Sequence, residues 1–326
     1  MIITRSPLRI SIGGGGTDLP SYYRAHGGFL IAMGITKHVY VSLQRTFDPG
    51  ILLKYSNIER IARVADIKHP IIREAMMLME VDEPNFEITS IADVPAGTGL
   101  GSSGSFTTAL LKALAIYTRR HLDPAEIAEL ACAIEIDRLR EPIGKQDQYI
   151  AAFGGITALT FNPDNTVEAR SVPISDATFD DIDENMLMFF TERTRSASKI
   201  LEEQNTKTID RNDDIVANLH RVKEIGRRSY EAFLRGRLGE WGEMMREHWE
   251  IKKQRSSSMS SPEIDEWYDL ALKNGAVGGK LVGAGGGGFL LFYADNARQL
   301  RRALTGAGLR ELRFHMDVEG TKVLNR

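Results

Sequence analysis

The chain has 326 residues, 42% hydrophobic and 26% charged, which is typical of a globular protein with one large or two ordinary domains. Its 41 basic and 44 acidic residues leave a net charge of −3, and no long run of one sign predicts a nucleic-acid surface. The single cysteine, Cys132, excludes an intramolecular disulfide and a cysteine-cluster metal site. With no signal peptide and no apolar span of membrane length, we expect a cytoplasmic protein without nucleic-acid or membrane partners.

The first half of the chain has the pattern of strands with interspersed helices. Strand-like runs rich in β-branched and aromatic residues cover 8–13, 29–35, 38–47, 51–56 and 85–94. They follow one another closely, which favours hairpins over βαβ units. Helical patterns cover 69–81, 105–119 and 124–140, and Asp123 and Glu126 form a capping-box pattern around Pro124 at the start of the last one.

The second half is dominated by long amphipathic helices, predicted over 214–234, 238–254 and 262–274. Strand-like runs cover 185–190, 277–283, 288–294 and 309–316, with a short helix near 296–305. The segment 161–185 is rich in turn residues and acids and is the best candidate boundary. We therefore expect an α+β protein with domains at 1–172 and 173–326.

The stretch PAGTGLGSSGS, residues 95–105, contains a literal G-x-G-x-x-G from Gly99 to Gly104. A dinucleotide fold requires a second strand ending in an acid about 20 residues further on, but here another helix follows. No Gly-Lys-Ser/Thr closes the glycine run, which excludes a P-loop. Ser102, Ser103 and Gly104 instead lie at the predicted start of a helix, whose free N–H groups and dipole favour phosphate. A plain glycine-serine turn is the alternative.

Two further glycine blocks lie at the ends of predicted strands. Gly13–Gly16 follows the first strand, and Gly283–Gly288 lies between two strands of the second half. Dense glycine beside apolar strands indicates backbone packed against a ligand or another chain segment. Three such blocks predict one composite site at a domain interface.

Two acidic residues are candidates for chemistry. Glu135 falls on or beside the apolar face of the predicted helix 124–140, where an acid either pairs with a cation or holds a metal through carboxylate oxygen. Asp147 begins a new element after Pro142 and Gly144 break that helix. Its carboxylate either caps this element or acts as a base facing a polar pocket.

The three glycine blocks also carry a family resemblance. PAGTGLGSSGSF resembles the second motif of the GHMP kinases (galactokinase, homoserine kinase, mevalonate kinase and phosphomevalonate kinase). SPLRISIGGGGTDLP resembles their first motif and KLVGAGGGGFLLFY their third, in the family's order and over nearly the whole chain. The GGGTDLP opening and the segment IEIDRLREPIGKQDQYIAAFGG resemble most the bacterial D-glycero-α-D-manno-heptose 7-phosphate kinase branch, with L-fucokinase as a nearer cousin than mevalonate kinase.

The resemblance implies a ribosomal-protein-S5-like N-terminal domain, a ferredoxin-like C-terminal domain, and ATP with Mg²⁺ bound between them. It assigns catalysis to Asp147 with Arg9, and Mg²⁺ to Ser103 and Glu135. The residues it assigns to the ATP phosphates are Gly97, Gly99, Gly101, Ser102, Ser103 and Gly104. The candidates for substrate binding are Gly14, Gly15, Thr17, Asp18, Lys145, Arg193, Arg195, Gly285 and Gly286.

Three of these candidates are cations that a phosphorylated substrate would need: Lys145, Arg193 and Arg195. For the two arginines, a place on a surface loop is an equal alternative. Gly104 stands where many family members have alanine, and we expect that difference to be harmless if only the backbone is used.

The implied activity is ATP-dependent phosphorylation of a sugar's anomeric hydroxyl. The foremost acceptor is D-glycero-α-D-manno-heptose 7-phosphate, giving the 1,7-bisphosphate for nucleotide-activated heptose. An L-fucokinase-like or other sugar 1-kinase is an alternative. A non-catalytic sugar- and ATP-binding regulator is a second class, but the presence of Asp147 and of the loop serines favours the enzyme.

Overall fold

The computed structural model describes residues 1–82, 85–192, 213–256 and 259–326, which form two β-sheets with helices packed against them. This mixture of antiparallel sheet and separate helices confirms the α+β class. In the described part of the chain no helix is both long and apolar enough to cross a membrane.

The first sheet has eight strands and is built around one very long strand. Its first seven strands are β1 (Ile2–Gly13), β2 (Gly28–Arg45), β3 (Gly50–Lys54), β4 (Ile58–Ile61), β5 (Asn85–Ala92), β6 (Ile156–Phe161) and β7 (Val167–Ser171). β2 pairs antiparallel with β1 along one edge, and with β6 and then β5 along the other. The hairpins β3–β4 and β6–β7 agree with the expectation of hairpins, whereas β3 and β5 pair in parallel, which a hairpin cannot provide.

Six α-helices of the described residues precede the second sheet in the chain. They are α1 (Pro20–His26), α2 (Pro70–Leu78), α3 (Ser102–Tyr117), α4 (Pro124–Cys132), α5 (Gln146–Phe153) and α6 (Asp176–Asn185). α3 and α5 pack directly on the first sheet, whereas α6 packs against the second sheet. α3 is buried almost all round, because it packs on β1 and β2 on one side and on α4 and α5 on the other. The capping box predicted at Asp123 and Glu126 is confirmed at the start of α4.

The second sheet has four strands and belongs to the second half of the chain. Its strands are β8 (Met186–Phe190), β9 (Ala276–Leu281), β10 (Phe289–Ala294) and β11 (Arg310–Glu311), in the order β11-β8-β10-β9. The helices described here are α7 (Asp213–Leu234), α8 (Leu238–Lys253), α9 (Pro262–Lys273) and α10 (Ala297–Gly306). α8 packs on β9, while α7 packs on β1 and β2, so helices of the second half bridge both sheets.

A last strand, β12 (Lys322–Asn325), returns to the first sheet and pairs antiparallel with β1. The first sheet therefore draws its strands from residues 2–171 and from residues 322–325. The domain boundary expected after residue 172 stays a prediction.

Several predicted elements differ from the observed ones. The two strands expected over 29–47 are one continuous strand, β2, because hydrogen-bonded neighbours on both edges hold the whole span extended. The eight-residue strand expected over 309–316 is wrong, since only Arg310–Glu311 pairs with β8. The turn-rich segment 161–185 contains β7 and α6 despite its composition. β7 is stabilised by pairing with β6, and α6 by its N-cap Ser175.

The helix expected over 124–140 changes type halfway. α4 ends at Cys132, and Ala133–Arg138 continues as a π-helical segment, in which the amide of Leu139 donates to the carbonyl of Ile134. π-turns are rare and often lie at functional sites because they re-aim side chains. Here the segment contains Glu135, which periodicity had placed at the edge of an ordinary helix.

Candidate active site

The loop before α3 is held open by glycines with left-handed backbone. Gly97, Gly99 and Gly101 have φ values of 78°, 83° and 76°, and Gly101 is the N-cap of α3. Ser102 and Ser103 are the first two residues of the helix, so their backbone N–H groups have no intrahelical partners. These donors and the helix dipole make an anion-binding end of the kind that phosphates occupy.

The third glycine block packs directly on this loop. A Cβ atom on Gly283 would lie 2.6 Å from the Cα of Gly99, and one on Gly288 would lie 2.3 Å from the carbonyl oxygen of Thr98. Only glycine permits backbones to approach so closely. The loop before α3 is thus supported by the β9–β10 connection of the second half.

The first glycine block lines the same cavity as the third. This cavity is bordered by Gly15 and Gly16 from one side and by Gly283 from the other, with Asp147 between them. The structure therefore brings all three blocks to one cleft between the two sheets.

Arg9 and Asp147 form an ion pair in this cleft. Arg9 lies on β1, and its Nε donates to Asp147 Oδ1 at 2.7 Å while its Nη1 donates to the carbonyl oxygen of Gly99 at 2.6 Å. Asp147 is in the first turn of α5, with its side chain 28% exposed, whereas that of Arg9 is 7% exposed. The guanidinium thus fixes the carboxylate beside the loop, and the carboxylate remains accessible from the cavity.

Asp18 is held beside Asp147 by backbone donors. The amide of Gly16 donates to its Oδ1 at 3.0 Å and the amide of Gln146 to its Oδ2 at 3.3 Å. Gly144 permits this approach, because a Cβ there would lie 2.0 Å from Asp18 Oδ2. Burial and then the charge of Asp147 raise the pKa of the Asp18 carboxyl. This pair of carboxylates favours a ligand rich in hydroxyl donors between them.

Glu135 and Ser103 form a second polar pair, at the start of α3. Ser103 Oγ donates to Glu135 Oε2 at 2.5 Å, while Glu135 Oε1 is buried and has no hydrogen-bond partner among the described residues. Burial raises the pKa of the Glu135 carboxyl to about 7. A divalent cation would satisfy the orphaned oxygen, and a carboxylate with a hydroxyl is a donor set that suits Mg²⁺. No cluster of three acidic, histidine or cysteine ligands occurs in the described residues, so phosphate and water oxygens would complete such a site.

Four other predicted substrate residues have structural contacts. Thr17 is fully buried, and its hydroxyl donates to the carbonyl oxygens of Gly14 and Phe29, so it holds the glycine turn in place. Gly285 and Gly286 pack on Met259 beyond the cavity lining.

Of the predicted phosphate-binding cations, Lys145 points away from the cavity. The Nζ of Lys145 donates to both carboxylate oxygens of Glu129, at 3.0 and 3.1 Å, and to the carbonyl of Asn165. Lys145 is not among the residues lining the cavity. Arg193 and Arg195 lie outside the described residues.

The cleft contains a set of cations that the sequence analysis missed. His248, Lys252 and Arg255 come from α8 and the turn after it, Lys280 comes from β9, and all four line the cavity. We call them the cation cluster, in which His248 contributes a neutral imidazole, because burial and the charges of Lys280, Arg255 and Lys252 hold its pKa well below the usual range. Residues 248, 252 and 255 have the spacing i, i+4, i+7, which places them on one helix face. That spacing in EHWEIKKQR, with a lysine shortly before the third glycine block, was the available signal.

Comparison with known proteins agrees with this geometry. The family profile described as "GHMP kinases N terminal domain" matches residues 64–155, and that described as "GHMP kinases C terminal" matches residues 229–309. Together the two matches span just over half of the chain.

Individual relatives match over nearly the full length of this chain. D-glycero-alpha-D-manno-heptose 7-phosphate kinase of Campylobacter jejuni is 29% identical over 91% of both chains. The bifunctional fucokinase/GDP-fucose pyrophosphorylase of Arabidopsis thaliana is 26% identical over 91% of this chain and 30% of its own. The crystal structure of a D-glycero-D-manno-heptose 1-phosphate kinase from Bacteroides thetaiotaomicron superposes with a TM-score of 0.83 at 23% identity, over 100% of this chain and 99% of the other.

The order of the three glycine motifs, the two-sheet fold and the two family matches agree with one another. The chain therefore belongs to the GHMP kinases and is a sugar kinase of that family.

Proposed function

We propose that the protein transfers the γ-phosphoryl group of ATP to the anomeric hydroxyl of D-glycero-α-D-manno-heptose 7-phosphate. The observation that carries this proposal is the Arg9–Asp147 ion pair, fixed at the anion-binding start of α3 and open to the cavity. The likeness to the C. jejuni heptose 7-phosphate kinase, at 29% identity, supports the choice of sugar.

Phosphoryl transfer of this kind is mostly positioning and charge stabilisation. The backbone N–H groups of Ser102 and Ser103 hold phosphate oxygens of the nucleotide. Asp147 accepts the proton of the anomeric hydroxyl, which is more acidic than an ordinary alcohol, as that oxygen attacks phosphorus. Arg9 stabilises the negative charge that spreads over the transferring group.

Glu135 and Ser103 are the residues that would hold Mg²⁺. The ion, when bound, neutralises charge on the β- and γ-phosphates. The buried, unpartnered Oε1 of Glu135 supports this assignment.

The sugar would lie between Asp147 and the first glycine block. Asp18, fixed by the amides of Gly16 and Gln146, accepts hydrogen bonds from its hydroxyls. Because glycines line this side of the cavity, the sugar ring can approach the backbone closely.

A coupled assay of ADP release tests the proposal on heptose 7-phosphate, L-fucose, galactose and mevalonate. We expect the highest kcat/KM on heptose 7-phosphate and a product phosphorylated at C1 by ³¹P NMR. A preference for fucose would replace the acceptor by that of the fucokinase relative. No turnover on any sugar, with ATP still bound, would favour a regulator on this scaffold.

A further inference from the structure

The cation cluster is unusual because it is both deeply buried and part of a cavity wall. His248, Lys252, Arg255 and Lys280 are each no more than 7% exposed. Lys280 Nζ lies 3.3 Å from His248 Nδ1, and Lys252 Nζ donates to the carbonyl oxygens of Leu281 and Gly283 at 3.0 and 2.6 Å. Four basic side chains thus converge on one part of the cleft.

In the described part of the chain, no carboxylate neutralises Lys252 or Lys280. Within residues 1–82, 85–192, 213–256 and 259–326, no acidic side chain lies within ion-pair distance of Lys252 or Lys280. Burial and the charges of Arg255 and Arg9 lower the pKa of Lys280 to about 7, and burial with the same kind of repulsion lowers the pKa of Lys252. Buried like charges without counter-ions destabilise a fold, and apolar residues would serve packing better. The arrangement suits a polyanion that enters the cleft.

The position of the cluster distinguishes which anion it faces. Its cavity is bordered by Asp147, Asp18 and Gly15, whereas Ser103 and Glu135 are not part of that wall. Burial lowers the pKa of Arg255 to about 10, and the nearby Asp18 carboxylate partly offsets this shift. The cluster is therefore on the acceptor side of Asp147, away from the start of α3, where the nucleotide phosphates have their own donors.

We propose that His248, Lys252, Arg255 and Lys280 bind the phosphate group that the acceptor sugar already carries. This proposal rests on the proposed function and adds its specificity determinant. The C-terminal half would recognise the phosphate, while Asp147, Asp18 and the first glycine block would hold the sugar end to be phosphorylated. The acceptors that fit are phosphosugars, and a sugar without the phosphate would leave Lys252 and Lys280 without an anionic partner and bind poorly.

The main test compares Lys280→Met with the matched control Lys273→Met, an exposed lysine at the end of α9. Steady-state rates are measured with heptose 7-phosphate and with unphosphorylated D-glycero-D-manno-heptose. For Lys280→Met we expect KM for heptose 7-phosphate to rise by about 10- to 100-fold, the effect of losing one charged hydrogen bond. The preference for the phosphorylated over the plain sugar should shrink with it, and Lys273→Met should behave as wild type.

A larger rise in KM for ATP than for heptose 7-phosphate would overturn the proposal, because the cluster would then bind the nucleotide. An unchanged KM for heptose 7-phosphate would also overturn it. Lys280→Arg, which retains the charge, should recover most of the affinity. Thermal melting of each variant separates these results from loss of the fold.

A binding measurement distinguishes failure of this proposal from failure of the proposed function. If the wild-type protein does not phosphorylate heptose 7-phosphate, the proposed function is wrong. Calorimetry with heptose 7-phosphate and with the plain heptose then tests the cluster alone. Tighter binding of the phosphosugar, weakened in Lys280→Met, would support the cluster as its site, and equal binding of the two sugars would reject it.

Discussion

Asp147 makes the contacts that join the parts of the candidate active site. It pairs with Arg9 on β1, lies beside Asp18, and packs under Gly104 of α3. Its position thus depends on three separate segments of the chain. For a group proposed as the base, this arrangement limits its freedom before substrate binds.

We expect Asp147→Asn to lower kcat by about 100- to 10,000-fold, the range for removal of a general base. Because the amide keeps the size of the carboxylate and its oxygen can still accept the hydrogen bond from Arg9 Nε, ATP binding and the melting temperature should change little. Stopped assays of ADP formation and nucleotide-binding calorimetry measure both properties. Asp137→Asn, at an exposed acid of the π-helical segment, is the control. Undiminished turnover of Asp147→Asn would remove this residue from the mechanism.

Gly104 corrects an expectation from the sequence. Alanine at this position was expected to be harmless, but a Cβ there would lie 2.9 Å from the Cβ of Asp147 and 3.0 Å from its carbonyl carbon. In this chain glycine therefore lets α3 and α5 approach closely at Asp147.

We expect Gly104→Ala to lower kcat by about tenfold, since small displacements of a reacting group are costly to rate. Helix propensity works in the opposite direction and offers up to about 1 kcal/mol of stability for Ala over Gly. Melting temperature and kcat should therefore separate in this variant. Gly239→Ala, in the first turn of α8 with open space around it, is the control that should retain full kcat. Wild-type kcat in Gly104→Ala would contradict the role assigned to this contact.

At the scale of elements, α8 has two different functions along its length. Its residues Trp241, Met245 and Trp249 are core residues, while His248 and Lys252 reach the cleft. An amphipathic pattern indicated the helix correctly, but it does not tell a charged stripe facing solvent from one facing a cavity. β9 packs against α8 and brings Lys280 to the cavity that His248 and Lys252 line. This packing places the charged residues of α8 in the cavity wall and not on the outer surface.

The lowered pKa of Lys280 predicts a pH-dependent stability. Lys280 faces His248, Lys252, Arg255 and Arg9, and its pKa falls from 10.5 to about 7. Below pH 7 Lys280 is charged in the folded protein, and its burial beside other charges destabilises the fold. Between about pH 7 and 10.5 the folded state releases the proton while the unfolded state keeps it, so stability rises with pH.

We therefore expect the unfolding free energy of wild type, relative to Lys280→Met, to increase from pH 7 towards pH 10.5. Urea unfolding of both proteins over this range measures the difference. Using the variant as reference removes the contributions of other titrating groups. If the difference in unfolding free energy does not change with pH, Lys280 takes up no proton on unfolding and the prediction is wrong.

The π-helical segment is the element that the sequence could not predict. Hydrophobic periodicity predicts one helix over 124–140, and the capping box correctly predicts its start. The change to π-helical geometry at Ala133 leaves no mark in the hydrophobic pattern of the sequence. It depends on tertiary contacts, among them the hydrogen bond from Ser103 to Glu135, whose partner lies on another helix.

At the scale of the whole molecule, the two halves meet through backbone. Gly283 has a φ of 79° and packs on Gly99, so the second half directly supports the loop before α3. We expect Gly283→Ala to displace this loop and to raise KM for ATP. Gly308→Ala is the matched control, because its φ is 91° but no atom lies within 4 Å of the added Cβ.

Both variants place alanine in the left-handed region, at a cost of about 1–2 kcal/mol. Only in Gly283→Ala does the added Cβ collide with Gly99 in the loop before α3. Only this variant should therefore show the rise in KM for ATP. Equal KM values in the two variants would mean that the contact between the halves does not position the loop. Nucleotide titrations at saturating sugar provide the measurement.

The sequence indicated those parts of the site that lie in contiguous motifs. Glycine blocks, Arg9, Asp18 and Asp147 all stand in such segments, and the structure brings them to one cleft. The cation cluster could not be found in this way, since its members come from α8 and β9, and only tertiary packing joins them. Lys145 shows the reverse error, because its nearness to Asp147 in sequence suggested a ligand contact, whereas its ammonium pairs with Glu129.

The pairing of β12 with β1 bears on how the chain folds during synthesis. Ile3 lies opposite Asn325, and Thr4 opposite Val323, so the start of β1 is covered by a segment that is synthesised long after it. Contacts between such distant segments form slowly, and an uncovered strand edge can pair with another chain in the meantime. The nascent protein thus carries an aggregation-prone edge until residues 322–325 emerge, and a chain shortened before Lys322 would keep that edge permanently.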